Sequence, residues 1–561
     1  MIKKIKSAVL ASIEEVFKIS ADEHANIDIV LNTDKLPLFG DLSCNAALIL
    51  ASTLKRSPLE IAEQLCENLK SGELCKNGTV STISVARPGF VNITLANETW
   101  NDISKKIFSD GPSFFSLDED EKKLSYLVEF VSPNPTGPLH LAHGRNAIIG
   151  DVLARVMEFL GHKVSREMYI NDAGKQIDLL GESLLARYKQ QLKEDVQVPE
   201  KGYHGEYLSD VALEIVKERG SDAVNEPMEY FKRYAVDKML ILIKKDLLLY
   251  GVEFDTFFSE KTLHDNGAID KAVEDLKTNQ LVYEKDDALW FKSTEFGDDK
   301  DRVVKRSDGA WTYLGADIAY HEDKFKRGYD KLIDVLGQDH HGYLNRIKAT
   351  MEAMGFGKDK LDIIVYQLVF MRIGNDYVKM SKRSGNFETL SDVINTVGKD
   401  VARFFYLNRK ADAHLDFDLD VALKNTEENP VYYIQYAYVR INSLMNKAAE
   451  ISGMSEWVSK LRNGEIDTDG LSLDENDIAL VRKISQLSGI LRTIANGYQT
   501  HMIAYYTLEL AKNFSSYYGK VKILDTGRID ATKNRLFVVS LIRTTLGTCL
   551  DLLGLSKPEK M

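Results

Sequence analysis

The chain has 561 residues, of which 44% are hydrophobic and 28% charged, and its formal net charge at pH 7 is −12. This length exceeds what one core organises and predicts three or four domains, while the composition is typical of a soluble globular protein. No run of about 18 apolar residues occurs, so no membrane-spanning segment is predicted.

The N-terminus and the cysteines indicate the compartment. Glu14, Glu15 and Lys18 interrupt the first apolar segment, which predicts an amphipathic helix and neither a signal nor a transit peptide. The cysteines show no CxxC pairing, so they predict no disulfide framework or zinc site and fit a reducing cytosol. They are Cys44, Cys66, Cys75 and Cys549.

The charge is unevenly distributed along the chain. Its acidic total argues against nucleic-acid binding. From Leu480 to the end, however, twelve Lys or Arg stand against five Asp or Glu. A basic module on an acidic body predicts an RNA contact at the C-terminal end.

Residues 1 to about 115 are predicted to form a small α+β domain, because helical patterns alternate with short apolar runs such as FVNITL. Phe90 and Asn92 share one face of the predicted strand. The ordinary explanation is a core phenylalanine and a turn asparagine. The charged run from Asp118 to Lys123 is predicted to be a solvated linker.

The stretch from Tyr126 to Gly161 predicts a strand, a proline-rich loop and a helix. This unit places the free N–H groups of a helix N-terminus, expected near Gly144, against an anionic ligand. His140 and His143 lie in the turn, three residues apart, and both can face one phosphate. Two histidines near a turn are otherwise ordinary surface residues.

The following stretches predict a parallel nucleotide-binding sheet. A second strand is expected from His162 to Ile170 and completes a β-α-β unit. Residues 175–275 are predicted to be a helical insertion, followed by β-hairpins that turn at Asp286–Asp287 and Asp308–Gly309. Beyond them, Tyr313 and Asp317 share a helix face.

Two further strands with loops are predicted. Leu332 to Leu336 is a strand leading into GQDHHGY, where His340 and His341 lack metal-ligand spacing, so no metal site is predicted. A strand from Ile363 to Phe370 leads to a loop bearing Lys379, Lys382 and Arg383. Small residues surround these charges, as in a mobile phosphate clamp, although a basic run is usually a solvated face.

From about residue 390 the pattern is helical. In NPVYYIQYAYVRIN, Tyr432 and Tyr436 share one helix face, and Ile434 and Tyr438 lie on another. An aromatic stripe at helical spacing is more often core than a binding surface.

HLAH, between SPNPTGPL and GRNAIIGD, resembles the "HIGH" signature of class I aminoacyl-tRNA synthetases, and VKMSKRSG resembles their "KMSKS" signature. The flanks are similar to those of arginyl-tRNA synthetases. This resemblance covers essentially the whole chain. It implies an α/β fold: a Rossmann-type parallel-sheet catalytic core (residues 116–390) between an α+β N-terminal domain (1–115) and an all-α C-terminal helical bundle (391–561).

The resemblance also implies the reaction and its residues. L-Arginine would be activated by ATP with Mg²⁺ and transferred to the 3′-terminal ribose of tRNA(Arg), by a cytoplasmic monomer with no membrane association. Catalysis is implied for His140, His143, Lys379 and Lys382. The nucleotide set is His140, His143, Gly144, Asn146, Met380, Ser381 and Lys382. The arginine set is Glu129, Ser132, Asn134, Tyr313, Asp317 and Gln338. The tRNA set is Arg87, Phe90, Asn92, Tyr436, Arg535 and Arg543.

The residue types in the arginine set suit their implied partner. A guanidinium requires carboxylates that match its planar fork, here Glu129 and Asp317, and a ring such as that of Tyr313 to fix its plane. Other interpretations remain. One is a related adenylate-forming enzyme or a synthetase for another amino acid, with lysine the nearest rival by charge; another is a non-enzymatic tRNA-binding relative.

Overall fold

The N-terminal part of the chain contains an antiparallel four-stranded sheet. This computed structural model describes residues 2–20, 26–32, 39–374, 376–377 and 389–561, without the side chains of residues 2, 339–341 and 358. The elements are α1 (Ile2–Phe17), β1 (Ile29–Leu31), β2 (Leu42–Cys44), α2 (Ala46–Leu54), α3 (Pro58–Ser71), α4 (Glu73–Lys76), β3 (Val80–Ala86), β4 (Phe90–Leu95) and α5 (Asn97–Asp110). The strand order is β1-β2-β4-β3.

The central part of the chain, residues 125–366, contains most of the strands. Its elements are β5 (Ser125–Glu129), α6 (Leu141–Phe159), β6 (Lys163–Ile170), α7 (Lys175–Gln191), α8 (Glu206–Arg219), α9 (Met228–Tyr250), β7 (Thr256–Ser259), α10 (Glu260–Asp265), α11 (Ala268–Thr278), β8 (Val282–Lys285), β9 (Ala288–Phe291), β10 (Arg302–Lys305), α12 (Tyr313–Lys326), β11 (Lys331–Gly337), α13 (Leu344–Ala353) and β12 (Leu361–Tyr366).

A five-stranded sheet organises this part, with the order β12-β11-β5-β6-β7 and every neighbouring pair parallel. The predicted Rossmann-type parallel-sheet core is therefore confirmed. The carboxyl ends of its strands meet at one edge, where ligands of such sheets bind. The first strand, β5, lies in the centre.

Helix α6 packs directly on the first central strand. A Cβ atom built on Gly150 would lie 2.2 Å from Cγ of Phe130, so only a glycine permits this approach. The helix begins at Leu141, three residues before the predicted position near Gly144. This earlier start follows from His140, whose side chain caps the helix.

The predicted helical insertion is formed by α7, α8 and α9, which enclose a hydrophobic core of their own around Leu184, Leu208 and Phe231. It ends before the predicted residue 275, because β7 returns the chain to the parallel sheet.

The first of the two predicted hairpins is formed by β8 and β9, and Asp286 and Asp287 at its turn have φ values of 53° and 55°. Both central positions of this type of turn require positive φ. At the second predicted turn, a single antiparallel bridge joins Lys305 to Trp311.

The remaining elements belong to a small mixed sheet and a helical bundle. They are β13 (Val369–Ile373), β14 (Asp376–Tyr377), α14 (Leu390–Val397), α15 (Lys399–Leu407), β15 (Leu415–Asp418), α16 (Leu419–Ala422), α17 (Pro430–Ala449), α18 (Ser455–Asn463), α19 (Glu475–Gly497), α20 (His501–Lys520) and α21 (Ile529–Leu553).

The single strand predicted from Ile363 to Phe370 is wrong, because the chain changes sheet within it. β12 ends the parallel sheet, and β13 joins a second sheet of order β14-β13-β15. At the break, the Gln367 amide donates to the carbonyl of Ala411, and the Gln367 carbonyl accepts from buried Arg145 at 2.7 Å. These bonds satisfy the backbone where it leaves the first sheet.

Helix α21 is the central helix of the C-terminal bundle. Within the described residues it is long and apolar enough to cross a membrane, with a mean hydropathy of 1.6, but 78% of its apolar window is buried in the fold. It packs against α17, α18, α19 and α20. Its apolar length therefore fits a core helix of the bundle.

Candidate active site

A row of three carboxylates crosses the centre of the parallel sheet. Glu167, Glu129 and Asp334 are register partners on β6, β5 and β11. All three are buried. Partners in register point to the same face, so the side chains form one line across three strands.

Helix α12 supplies the counter-ions of this row. Arg327, at the end of the helix, donates two hydrogen bonds to Glu167, at 2.6 and 2.9 Å. The buried ammonium of Lys324 lies between the carboxylates of Glu129 and Asp334, and its Nζ is 2.8 Å from Asp334 Oδ1. Each carboxylate of the row therefore has a cationic partner, as buried charges require.

Electrostatics at the centre of the row follow from these contacts. Although burial opposes it, the charges of Lys324 and His321 and their hydrogen bonds lower the pKa of Asp334 to about 2. Burial likewise opposes a charged Lys324, but Asp334 and Glu129 raise its pKa above the ordinary value. The ion pair is therefore fully charged at neutral pH.

A strained turn follows β5 and aims the row at the ligand edge. Val131 and Ser132 have φ values of 69° and 35°, in the left-handed region that β-branched residues avoid. The Ser132 hydroxyl donates to Glu129 Oε1 at 2.9 Å and accepts from the Tyr169 amide at 3.0 Å. Such strain is typical of functional sites, and Ser132 fixes the Glu129 carboxylate.

The other residues of the predicted arginine set lie at the same edge of the sheet. Asp317 is half-buried and lies one turn after Tyr313, whose ring is 63% exposed at the start of α12. Asn134 is exposed in the loop after β5, and Gln338 follows directly on β11. Asn134 and Gln338 therefore follow strand ends at this edge, and Asp317 lies close enough to Glu129 for their charges to interact.

Asp317 is the most strongly perturbed carboxyl of this region. Burial raises its pKa to about 7, with further contributions from the charges of Glu260 and Glu129 that His321 and Lys324 oppose. Burial also raises the pKa of Glu260, despite hydrogen bonds from Tyr169 and His264. A carboxylate cluster of this kind favours a cationic ligand.

Sequence reasoning missed Glu260, Tyr169 and Lys324. Glu260 directly follows β7, at the same strand-end edge as Glu129, and this position after a parallel strand was the available signal. Tyr169 packs against Tyr320, with ring centroids 4.4 Å apart and an interplanar angle of 38°. Lys324 stands seven residues after Asp317, which gives no sign that its ammonium is buried.

The two histidines cap the N-terminus of α6 in a fixed tautomeric state. The His140 amide donates to Nδ1 of His143 at 3.0 Å, and the Ala142 amide donates to Nδ1 of His140 at 3.2 Å. An Nδ1 that accepts from an amide leaves the proton of a neutral ring on Nε2. Burial lowers the pKa of His143 to about 4, so its ring is neutral at pH 7.

Two residues of the predicted nucleotide set have other surroundings. Gly144 is buried, and a Cβ there would lie 2.7 Å from Leu390 Cδ1 and 2.9 Å from the Tyr406 ring. Asn146 is buried between two strand ends: its side chain accepts from the Val131 amide at 2.7 Å and donates to the Val335 carbonyl at 3.0 Å. The structure therefore places Gly144 in close packing and engages the Asn146 amide with backbone groups, and contact of these residues with the nucleotide stays a prediction. Lys379, Met380, Ser381 and Lys382 lie outside the described residues.

The N-terminal sheet contains the first predicted tRNA contacts. Arg87 is exposed and Phe90 half-buried at the hairpin between β3 and β4. Asn92 is buried, and its side chain accepts a hydrogen bond from Ser43 at 2.7 Å. The expectation that Asn92 presents its amide to a nucleotide is therefore corrected, because its side chain lies inside the domain.

The C-terminal bundle has a ladder of stacked aromatic and basic groups. On α17 the rings of Tyr432 and Tyr436 stack at 6.2 Å with an interplanar angle of 10°. The guanidinium of Arg440 lies 4.5 Å from the Tyr436 ring and 4.9 Å from that of Tyr518 on α20. Ile434 and Tyr438, on the other face, are buried. Arginine and tyrosine faces of this kind stack on unpaired bases.

The last two predicted tRNA contacts lie on α21. Arg535 is partly exposed, and its guanidinium donates to the Lys522 carbonyl at 2.7 Å. Arg543 is also partly exposed and donates to the side chain of Asn442 at 2.7 Å. Both guanidinium groups are held by the bundle, and each keeps further donors.

Comparison with protein families gives the class to which this arrangement belongs. Residues 106–443 match the model of tRNA synthetases class I (R), catalytic domain. Residues 3–95 match the arginyl tRNA synthetase N terminal domain, and residues 434–561 match the DALR anticodon binding domain. The part of the chain that contains the parallel sheet is therefore the catalytic domain of a class I aminoacyl-tRNA synthetase.

Individual relatives agree. The arginine–tRNA ligase of Syntrophotalea carbinolica is 42% identical over 93% of both chains, and that of Nitratidesulfovibrio vulgaris (strain DP4) is 40% identical over the full length of both. The solved arginyl-tRNA synthetase of Thermus thermophilus has the same fold, with a TM-score of 0.74 and 20% identity over both full chains. The chain belongs to the arginyl-tRNA synthetase family. It uses ATP to activate L-arginine and attaches the arginyl group to the 3′-terminal ribose of tRNA.

Proposed function

We propose that His140 and His143 bind the phosphates of ATP through their Nε2–H groups. Both Nδ1 atoms accept backbone amides at the N-terminus of α6, so each neutral ring carries its proton on Nε2. A helix N-terminus favours anions, and a neutral imidazole can donate a hydrogen bond to a phosphate without changing its protonation state. Lys379 and Lys382, with Met380 and Ser381, would also contact the phosphates, as their sequence signature implies.

The guanidinium of arginine is proposed to bind between Glu129 and Asp317. The observation that carries this assignment is the carboxylate cluster at the strand ends, beside which burial raises the pKa of Asp317 to about 7 although the charges of His321 and Lys324 lower it. Tyr313, exposed one turn away, would cover the guanidinium plane. Asn134 and Gln338 are proposed to bind the ammonium and carboxylate of the amino acid.

Mg²⁺ is proposed to arrive with ATP. Among the described residues, no group of three or more His, Cys, Asp or Glu side chains could hold a metal ion by itself. Mg²⁺ commonly keeps waters and phosphate oxygens as ligands and takes only one or two from protein. The described residues therefore fit a Mg²⁺ ion that binds mainly to the phosphates of ATP.

The tRNA is proposed to contact both ends of the chain. Arg87 and Phe90 would meet the tRNA body, while Tyr436, Arg535 and Arg543 would bind near the anticodon. The support is the ladder on α17 and α20 and the basic C-terminal region. We also propose that residues 1–115, 116–390 and 391–561 are the functional domains, and that the enzyme works as a monomer in the cytoplasm.

The nucleotide and arginine assignments are tested by ATP–pyrophosphate exchange measured in the presence of tRNA. His143→Ala should lower kcat at least tenfold, whereas His162→Ala, which removes a histidine at the start of β6, should not. Asp317→Asn should raise the arginine KM at least tenfold, roughly 1.4 kcal/mol, with the ATP KM unchanged. An unchanged arginine KM in Asp317→Asn would reject the guanidinium pocket.

A further inference from the structure

The ammonium of Lys324 is the most deeply buried cation near the arginine pocket. Its side chain is 0% exposed and contacts Glu129, Asp334 at 2.8 Å and the face of Tyr320 at 4.3 Å. Burying an ammonium costs several kcal/mol per ion unless its partners compensate. Two carboxylates and a ring face compensate here, at a site that the proposed substrate pocket shares.

Each oxygen of the Glu129 carboxylate has one hydrogen-bond partner in the protein and can accept a further bond from a ligand. Ser132 donates to Oε1 and Lys324 to Oε2. An ionised carboxylate has about four lone-pair sites, so each oxygen keeps one for a further donor. Two parallel N–H donors of a guanidinium match such a pair of oxygens, provided that the carboxylate is ionised and does not rotate.

Loss of the Lys324 charge would remove both conditions. Glu129 and Asp334 would then face each other as neighbours in register, and like charges at this distance raise the pKa of one partner. Other charged groups of the region would not replace the ammonium. Arg327 is engaged by Glu167, and the rest are acidic or bound to Asp334: Asp317, Glu260 and His321.

We propose that Lys324 is a positioning residue for arginine recognition, whose ammonium separates the carboxylates of Glu129 and Asp334 and orients Glu129 toward the guanidinium. The inference rests on the proposed arginine pocket and adds a residue to it that does not touch the substrate. It also gives α12 a double function, because the helix carries Asp317 toward the ligand and Lys324 beneath Glu129.

The test compares Lys324→Met, Lys324→Arg and Lys326→Met with the wild type in tRNA-dependent exchange from pH 6 to 9. Lys324→Met should raise the arginine KM at least tenfold at pH 7 and leave the ATP KM unchanged. Its arginine KM should still improve above pH 8, where the wild-type value is constant, as the carboxyl pair loses its shared proton. Lys324→Arg should retain most of the arginine affinity. Lys326→Met, which removes the ion pair of an exposed lysine with Glu322 on the same helix, should leave the arginine KM within about threefold.

A double-mutant cycle separates this inference from the pocket assignment. If Lys324 acts through Glu129, the effect of Lys324→Met on the arginine KM disappears in a Glu129→Gln background. Full additivity, or an equal rise of the arginine and ATP KM values, would overturn the positioning role. If Glu129→Gln alone leaves the arginine KM unchanged, the pocket itself is wrong. If Glu129→Gln raises the arginine KM and Lys324→Met does not, only the role of Lys324 fails.

Discussion

The hydroxyl of Tyr207 donates a 2.6 Å hydrogen bond to the carbonyl oxygen of Thr136 and so joins the helical insertion to the loop between Glu129 and His140. A glycine in the loop and a glycine in the insertion leave room for the Tyr207 side chain. A Cβ atom on Gly137 would lie 3.0 Å from the Tyr207 hydroxyl, and one on Gly205 would lie 2.1 Å from its ring. The insertion therefore holds the loop that connects the two proposed substrate sites.

Tyr207→Phe should raise the KM values of both arginine and ATP by about two- to tenfold, because a hydrogen bond of this kind contributes about 0.5 to 1.5 kcal/mol. The measurement is ATP–pyrophosphate exchange with each substrate varied in turn. Tyr188→Phe is the matched control: it removes a 2.9 Å hydrogen bond to the Gly220 carbonyl within the same insertion. Equal kinetic effects of the two substitutions would mean that the contact with Thr136 does not position the loop.

The raised pKa of Asp317, about 7, predicts how arginine binding depends on pH. The guanidinium binds the ionised carboxylate, so below pH 7 arginine must displace a proton, and above it none. The arginine KM should therefore fall by up to tenfold per pH unit as pH rises toward 7, and become constant above about pH 8. Arginine itself keeps its guanidinium charge throughout this range.

The control for this pH dependence is Asp317→Asn, whose arginine KM should be higher and constant between pH 5.5 and 8. The KM of ATP, measured in the same assays, corrects for general effects of pH on the enzyme. A wild-type arginine KM that does not change over this range would mean that Asp317 is already ionised in the free enzyme, or that it does not meet the guanidinium.

Substitution of Gly150 should show how the close contact between α6 and β5 affects the stability of the fold. Replacing a mid-helix glycine by alanine ordinarily stabilises a helix by about 1 kcal/mol. Here the new Cβ would lie 2.2 Å from the Phe130 ring, and overpacking of a close-packed core costs about 1 to 3 kcal/mol or more. Gly150→Ala should therefore lower the denaturation midpoint. Gly489→Ala, in the open middle of α19, should raise it slightly or leave it unchanged.

The fold class could be predicted from the sequence because the hydrophobic periodicity of each element and the residues at its ends indicate its type and length. The run from Tyr126 to Val131 is apolar and β-branched, and the helix after it repeats at helical spacing. The two sequence signatures then order the strands along the chain. The change of sheet at Gln367 could not be predicted, since it depends on a buried arginine from α6 and on a carbonyl acceptor from a distant loop.

The candidate site was predictable only in part, for a physical reason that Lys324 and Asn146 illustrate. Residue type indicates what a side chain can bind, but the register of strands decides what it meets. Lys324 reads as a solvated helix residue until Glu129 and Asp334 are paired across β5 and β11. Asn146 follows the histidines in sequence, yet its side-chain amide is hydrogen-bonded to backbone groups at two strand ends.

Arg440 allows the proposed tRNA surface to be tested through its salt dependence. Its guanidinium stacks between Tyr436 and Tyr518 on a partly exposed helix face. If it neutralises one phosphate, Arg440→Gln should weaken tRNA binding and reduce the slope of log affinity against log salt by about 0.7 to 0.9. Tyr436→Leu should weaken binding by about 1 to 3 kcal/mol without changing that slope, because stacking on a base releases no counter-ions.

The matched control for this surface is Lys460→Gln, which removes one positive charge from α18 in the same bundle. Lys460 is paired with Glu456 on the helix surface, away from the ladder on α17. Its loss should leave both affinity and slope unchanged when filter binding is measured from 50 to 300 mM salt. If Lys460→Gln reduced the slope as much as Arg440→Gln did, the bundle would attract tRNA through its overall charge, and the ladder would not be the contact.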